Sequence, residues 1–81
     1  MEVDLHALEL VEAEIEVSFA IRECKNNEES RIDLIHGYRG GNILKIHFRS
    51  QKFKHQMRKE GHQITRVKSR NPGITSYLIE K

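Results

Sequence analysis

Apolar and polar positions alternate over Val3-Asp4-Leu5-His6-Ala7, the period of a short strand. From Leu8 to about Asn26 the chain runs without Gly or Pro. Glu12–Val17 inside that stretch alternates like a strand, but its length and its Ala, Glu and Leu content decide for a helix. Ala13, Val17, Ala20, Ile21 and Cys24 fall on one stripe at helical spacing. Glu9 is a poor N-cap, and Asn26-Asn27 is a plausible stop. Arg31–Ile35 reads as a second strand and Gly37–Gly41 as a loop. Asn42 then caps one long basic helix, with Ile43, Ile46, Ser50, Phe53 and Met57 on its inner stripe and Leu44 and Phe48 beside it. Arg58 and Lys59 suit the negative end of that helix, and Gly61 suits the position just past it. Gln63–Arg70 alternates strictly, Ile64, Arg66, Lys68 and Arg70 against Thr65, Val67 and Ser69, as a third strand does. Asn71-Pro72-Gly73 is a turn signal, and Ile74–Ile79 is the last strand.

The order is β-α-β-α-β-β, an α/β fold. Strand–helix–strand units imply right-handed crossovers and parallel pairing. The short last connection implies one antiparallel strand. The expectation is a two-layer sandwich of one four-stranded mixed sheet and two helices, a single domain over residues 1–81, with no repeat or linker.

Length and charge sharpen this picture. A domain of 81 residues buries only about 60–65% of the surface its unfolded chain exposes, which leaves a thin core. A site is therefore expected at an edge of the fold. The net charge of +2 hides an asymmetry: residues 1–30 carry nine acids and two bases, net −7, and residues 31–81 carry twelve bases and three acids, net +9. Such a split points to a polyanion-facing side, to an interaction between the halves, or to both. Cys24 has no partner for a disulfide and reads as a buried apolar residue. The start M-E-V-D-L-H carries neither a basic nor an apolar leader segment, and no apolar run approaches the length of a membrane span. A cytoplasmic protein without membrane contact is expected, monomeric or weakly self-associating.

Ligands of parallel strand–loop–helix units gather at the carboxyl ends of the strands. Asp4 and His6 lie at the end of the first strand and His36 at the end of the second, so parallel pairing brings all three to one sheet edge. The glycine-rich stretch I-H-G-Y-R-G-G-N at 35–42 and the start of the second helix lie there too. Free N–H groups at a helix start suit phosphate, and glycines let backbone approach an anion. The stretch is neither a Walker loop nor a dinucleotide fingerprint.

These motifs resemble those of the Smr (small MutS-related) domain family. V-D-L-H-A-L at 3–8 is similar to the family's L-D-L-H-G-L, and I-H-G-Y-R-G-G-N-I-L-K at 35–45 to its H-G-x-G-x-G followed by an apolar pair and a base. N-P-G-I-T-S-Y-L-I at 71–79 resembles its final turn and strand. The resemblance implies a fold similar to the C-terminal domain of translation initiation factor three, with sheet order 1-2-4-3. It also implies nucleic-acid binding and, in many members, endonuclease or nicking activity on DNA or RNA. The family's acid and histidine positions carry over to Asp4, His6 and His36, with Gly37 and Gly41 as the matching glycines. Ala7 stands where the family has Gly after the histidine, and Arg39 where it has the middle Gly of the second motif.

The expected catalytic residues are thus Asp4, His6 and His36, a carboxylate and two imidazoles with near-neutral titration, suited to proton transfer at a scissile phosphate. Backbone contact is expected from the loop Gly37, Tyr38, Arg39, Gly40, Gly41 and Asn42, Tyr38 being able to stack on a base. Lys45, Arg49, Lys52, Lys54, Arg58 and Lys59 make the second helix a basic ridge, joined by Arg66, Lys68 and Arg70. No compact metal-ligand motif is present. A magnesium or manganese ion bridging Asp4, His6 and phosphate is the one metal role open to the chain, and no other cofactor is implied. His47, His55 and His62 read as surface residues. The alternatives to a nuclease are a DNA- or RNA-binding module without activity and a protein-interaction or self-association domain.

Overall fold

The computed structural model describes residues 1–37 and 42–80. The elements are β1 (Glu2–Asp4), α1 (Leu10–Asn26), β2 (Arg31–Ile35), α2 (Ile43–Phe48), α3 (Gln51–Lys59), β3 (Gln63–Val67) and β4 (Ile74–Glu80). The strands form one mixed sheet in the order β1-β2-β4-β3. β1 runs parallel to β2, and β4 is antiparallel to both β2 and β3. The single antiparallel strand agrees with the sequence reading, and the strand order with what the Smr resemblance implies.

Register decides which side chains enter the core. Ile32 lies opposite Tyr77, Leu34 opposite Thr75 and Ile64 opposite Ile79. Alternation turns these residues toward the helices. There they meet Ala13, Val17, Ala20, Ile21 and Cys24 of α1, Phe48 of α2, and Phe53 and Met57 of α3, all buried. Burial of each large apolar side chain contributes about 1.5–3 kcal/mol. Phe48 and Phe53 pack edge to face at 5.0 Å between centroids, and Phe53 leans on Tyr77 at 5.9 Å. The Tyr77 hydroxyl donates to the Phe48 carbonyl, so the deepest polar group is satisfied.

The long second helix of the sequence reading is in fact two. α2 ends at Phe48, and Ser50 begins α3 as a true N-cap, its hydroxyl accepting the Phe53 N–H at 3.1 Å. The break changes the rotation of the first segment. Phe48 turns inward, while Ile43 and Ile46, expected on the inner stripe, are 69% and 66% exposed. Asn42 makes no side-chain cap; only its carbonyl joins α2, accepting from Ile46 at 2.8 Å. α3 closes as expected: Gly61 adopts φ +88°, and the N–H groups of His62 and Gly61 return to the carbonyls of Met57 and Arg58. That closure tucks His62 inside, 6% exposed, against the surface position read from its sequence; His47 is half-buried as well, and His55 is exposed.

β3 ends at Val67, short of the expected Arg70. The chain then crosses the sheet face opposite the helices. The Lys68 carbonyl accepts from Arg31 of β2 at 3.4 Å, and Arg70 pairs with Glu2 of β1. Ile74 and Ser76 alternate toward this face and are nonetheless buried, as the crossing segment accounts for.

Candidate functional site

β1 is only three residues long because a turn follows at once. Leu5 N–H still reaches the Ile35 carbonyl (2.8 Å), and Leu8 N–H then folds back to the Leu5 carbonyl (3.1 Å). Ala7, the third residue of this turn, has φ +67°. A turn with positive φ at its third position is type II, which favours glycine there. The turn puts His6 at an exposed corner. Asp4 Oδ1 accepts both the backbone N–H of His6 (3.1 Å) and the ring Nδ1–H (2.5 Å). These two bonds hold the Asp4 carboxyl below the usual carboxylate range. In the neutral ring this contact fixes the tautomer: Nδ1 carries the proton toward Asp4, and Nε2 is the acceptor, with no hydrogen-bond partner among the described residues.

Gly37 stands against this corner. Its φ is +85°, and a Cβ placed on it would lie 3.9 Å from the His6 Cβ. Behind it sits Gly73, whose carbonyl accepts from the N–H groups of both His36 (3.0 Å) and Gly37 (2.9 Å). A Cβ on Gly73 would come within 3.3 Å of the Gly37 carbonyl carbon and 3.2 Å of Asn71 Oδ1, so tight that these neighbours would have to give way by a few tenths of an ångström. The turn at 71–73 thereby locks the segment 36–37 beside the His6 corner.

His36 is set differently. It is 7% exposed, with Nε2 at 2.8 Å from Thr75 Oγ1 and Nδ1 at 3.2 Å from the Gly37 carbonyl. A carbonyl only accepts, so Nδ1 is the protonated nitrogen, and Nε2 receives the Thr75 hydroxyl hydrogen. The same hydroxyl oxygen accepts from Arg49 Nε at 2.8 Å, while Arg49 Nη2 donates to the Ile74 carbonyl at 3.1 Å. Burial lowers the His36 pKa, the Gly37 bond opposes this, and the positive charges of Arg49 and Lys45 lower it further. The imidazole is neutral at pH 7.

The sequence thus brings Asp4, His6, His36 and Gly37 to one edge, as parallel pairing of β1 and β2 requires. Lys45 and Arg49 lie close enough to act on His36, and Arg66 acts on Arg49 and Tyr77, so these three bases form one positive cluster behind the histidines. Arg49 is tied by two hydrogen bonds on its inner side. Asn42 is exposed just before α2, Lys52 on α3 and Lys68 beyond β3. Tyr38, Arg39, Gly40 and Gly41 lie outside the described residues. Among the described residues, no three His, Cys, Asp or Glu side chains converge to hold a metal. Nor is any helix of these residues long and apolar enough to cross a membrane. Sequence reasoning missed Thr75 and Gly73. Thr75 lies 39 residues from His36, and only the β2–β4 register joins them; for Gly73 the turn was read, but not its seat beneath Gly37.

A mixed 1-2-4-3 sheet with helices on one face, carrying a histidine corner and a glycine-backed second histidine at the ends of its two parallel strands, defines a class of small α/β domain. Among solved structures, the crystal structure of the Smr domain of Thermus thermophilus MutS2 is similar over 99% of this chain and 98% of that one, with 25% identity and a TM-score of 0.75. No family model and no curated protein matches the chain. In fold, strand order and full-length correspondence the chain is similar to that Smr domain, in agreement with the resemblance of its motifs at 3–8, 35–45 and 71–79.

Proposed function

We propose that this Smr-type domain binds the phosphate backbone of DNA or RNA and cleaves it slowly at the Asp4–His6 corner. The observation that supports this reading is the oriented imidazole: a carboxylate holds Nδ1, and Nε2 faces solvent beside Gly37. In that state Nε2 takes the proton of an attacking water or ribose hydroxyl, and Asp4 stabilises the imidazolium that forms. The same Nε2–H then stands ready to protonate the leaving oxygen. Lys45 and Arg66 supply positive charge along the flanking backbone, with Lys52 and Lys68 as more distant contacts. His36 is assigned a positioning role within this reading. Both of its nitrogens are engaged, and it acts by holding Gly37 in place.

The test is a cleavage gel. Supercoiled plasmid and a structured RNA are each incubated with wild type and His6→Ala, with and without magnesium or manganese. Cutting by wild type and not by the variant, with retained binding, is the expected result. The binding arm should show log K falling against log salt with a slope of about −0.9 per phosphate contacted on duplex DNA. Salt-sensitive binding with no product on any substrate would replace the nuclease with a binding module.

A further inference from the structure

α1 buries one stripe and leaves a second apolar stripe in water. Val11, Ile15 and Phe19 are 68%, 52% and 59% exposed. They recur at i, i+4 and i+8, so they rise along one side of the helix over about 12 Å. On the neighbouring α2, which His47 brings to 3.8 Å from Glu14 of α1, the exposed Ile43 and Ile46 add two more large apolar side chains. A cavity of about 260 Å³ opens between α1 and α3, lined in part by Ile15 and Phe19. Five exposed large apolar residues on two adjoining helices of so small a domain exceed the scattered singles that need no explanation. None takes part in the histidine edge.

The charges beside this surface choose the occupant. At 100° per residue, Glu12, Glu16 and Glu23 flank the stripe on one side and Glu14 on the other. Glu60, just past the end of α3, lines the far wall of the cavity. The one base in line, Arg22, has its guanidinium carbon over the Phe19 ring at 5.1 Å from the centroid. A second copy docking α1 against α1 would bring these acids face to face. A second copy offering its basic α3 would leave the stripe uncovered, because the exposed residues of that helix, such as Lys52, His55 and Arg58, are all polar. We infer that the Val11–Phe19 stripe, with Ile43 and Ile46, is a docking groove for an amphipathic helix of a partner protein, one whose apolar side chains at i, i+4 and i+7 are flanked by Lys and Arg. Ile15 and Phe19 take its apolar anchors, and the glutamates meet its basic flanks.

Fluorescence anisotropy of labelled synthetic helices of about 18 residues, about five turns, tests this on the whole chain. The probes are a Leu/Lys amphipathic helix, a Leu/Glu helix of the same pattern, and a Leu/Lys peptide of scrambled order. The expected result is saturable binding of the amphipathic Leu/Lys helix alone, weakened at least about tenfold by Ile15→Gln or Phe19→Gln, as loss of a central anchor gives. Both positions are exposed, so circular dichroism should match wild type. Three results would overturn the inference: equal binding of the scrambled or Leu/Glu peptide, binding indifferent to both substitutions, or sedimentation showing a dimer that Phe19→Gln dissociates, which would assign the stripe to a second copy.

Discussion

Two histidines stand at one sheet edge, two parallel strand ends apart, and the fold treats them in opposite ways. His6 has one nitrogen fixed by an exposed carboxylate and the other without a partner among the described residues. His36 has both nitrogens engaged and is shut from water. The motif alone makes them equivalent. The structure separates a side chain that can exchange a proton with a bound molecule from one that organises the backbone such a molecule would touch. A histidine in a conserved-looking motif is therefore not yet a proton donor; a free ring nitrogen is the further requirement.

The comparison can be broken by substitution. The largest effect expected is on turnover: His6→Ala should lower the cleavage rate by about 10²–10⁴-fold, the usual share of a positioned acid–base group, with an unchanged urea midpoint. His36→Ala should do the reverse in its first consequence. It strips the Thr75 hydroxyl and the Gly37 carbonyl of their partner and should cost about 1–3 kcal/mol in urea unfolding. If His6→Ala destabilised as much as His36→Ala, the contrast would fail.

A pH series sharpens it. His36 and His62 both have pKa values lowered from 6.5, chiefly by burial, with nearby positive charge adding to the shift. The unfolded chain takes up protons at a pH where these folded side chains still resist them. Their contribution to stability is full above 6.5 and is lost as pH falls from 6.5 through the folded values. Chemical denaturation between pH 8 and about pH 5 should show this decline, smaller in His36→Ala and smaller again when His62 is replaced as well. The smallest effect is at the turn. Ala7→Gly removes a side chain from a left-handed position and should raise stability by about 1 kcal/mol, read as a shift of the urea midpoint at constant slope.

Much of the fold follows from local pattern. The strand and helix order, the buried stripe of α1 and the Gly61 closure are all set by residues within a few positions of one another. The break between α2 and α3 was concealed because Ser50 falls on the helical stripe, where it reads as a tolerated polar residue rather than a new start. Its cap to Phe53 N–H decides otherwise, and the exposure of Ile43 and Ile46 follows from it. The site divides the same way. Asp4 and His6 are two residues apart, so their contact could be read from spacing. Ala7 marked a departure from the family pattern, and its positive φ supplies the reason glycine is preferred there. The His36–Thr75–Arg49 network joins β2, β4 and the α2 terminus, and no spacing in the sequence foretells it. In the sequence His62 reads as a surface residue because its spacing from His47 and His55 suits no shared ligand, while the closure geometry at Gly61 turns it inward.

The segment that crosses the open sheet face has one more effect. β1 is a three-residue edge strand with a neighbour on one side only, the kind of element expected to fray first. Arg70 ties β1 through Glu2, and the Lys68 carbonyl ties the neighbouring β2 through Arg31, to the chain leading into β4. Opening β1 therefore means releasing that clasp too, which links the edge to the cooperative unit of the C-terminal hairpin. Amide hydrogens at Val3 and Leu5 should then exchange at rates nearer those of β4 than those of a free edge, so that the His6 corner keeps its geometry.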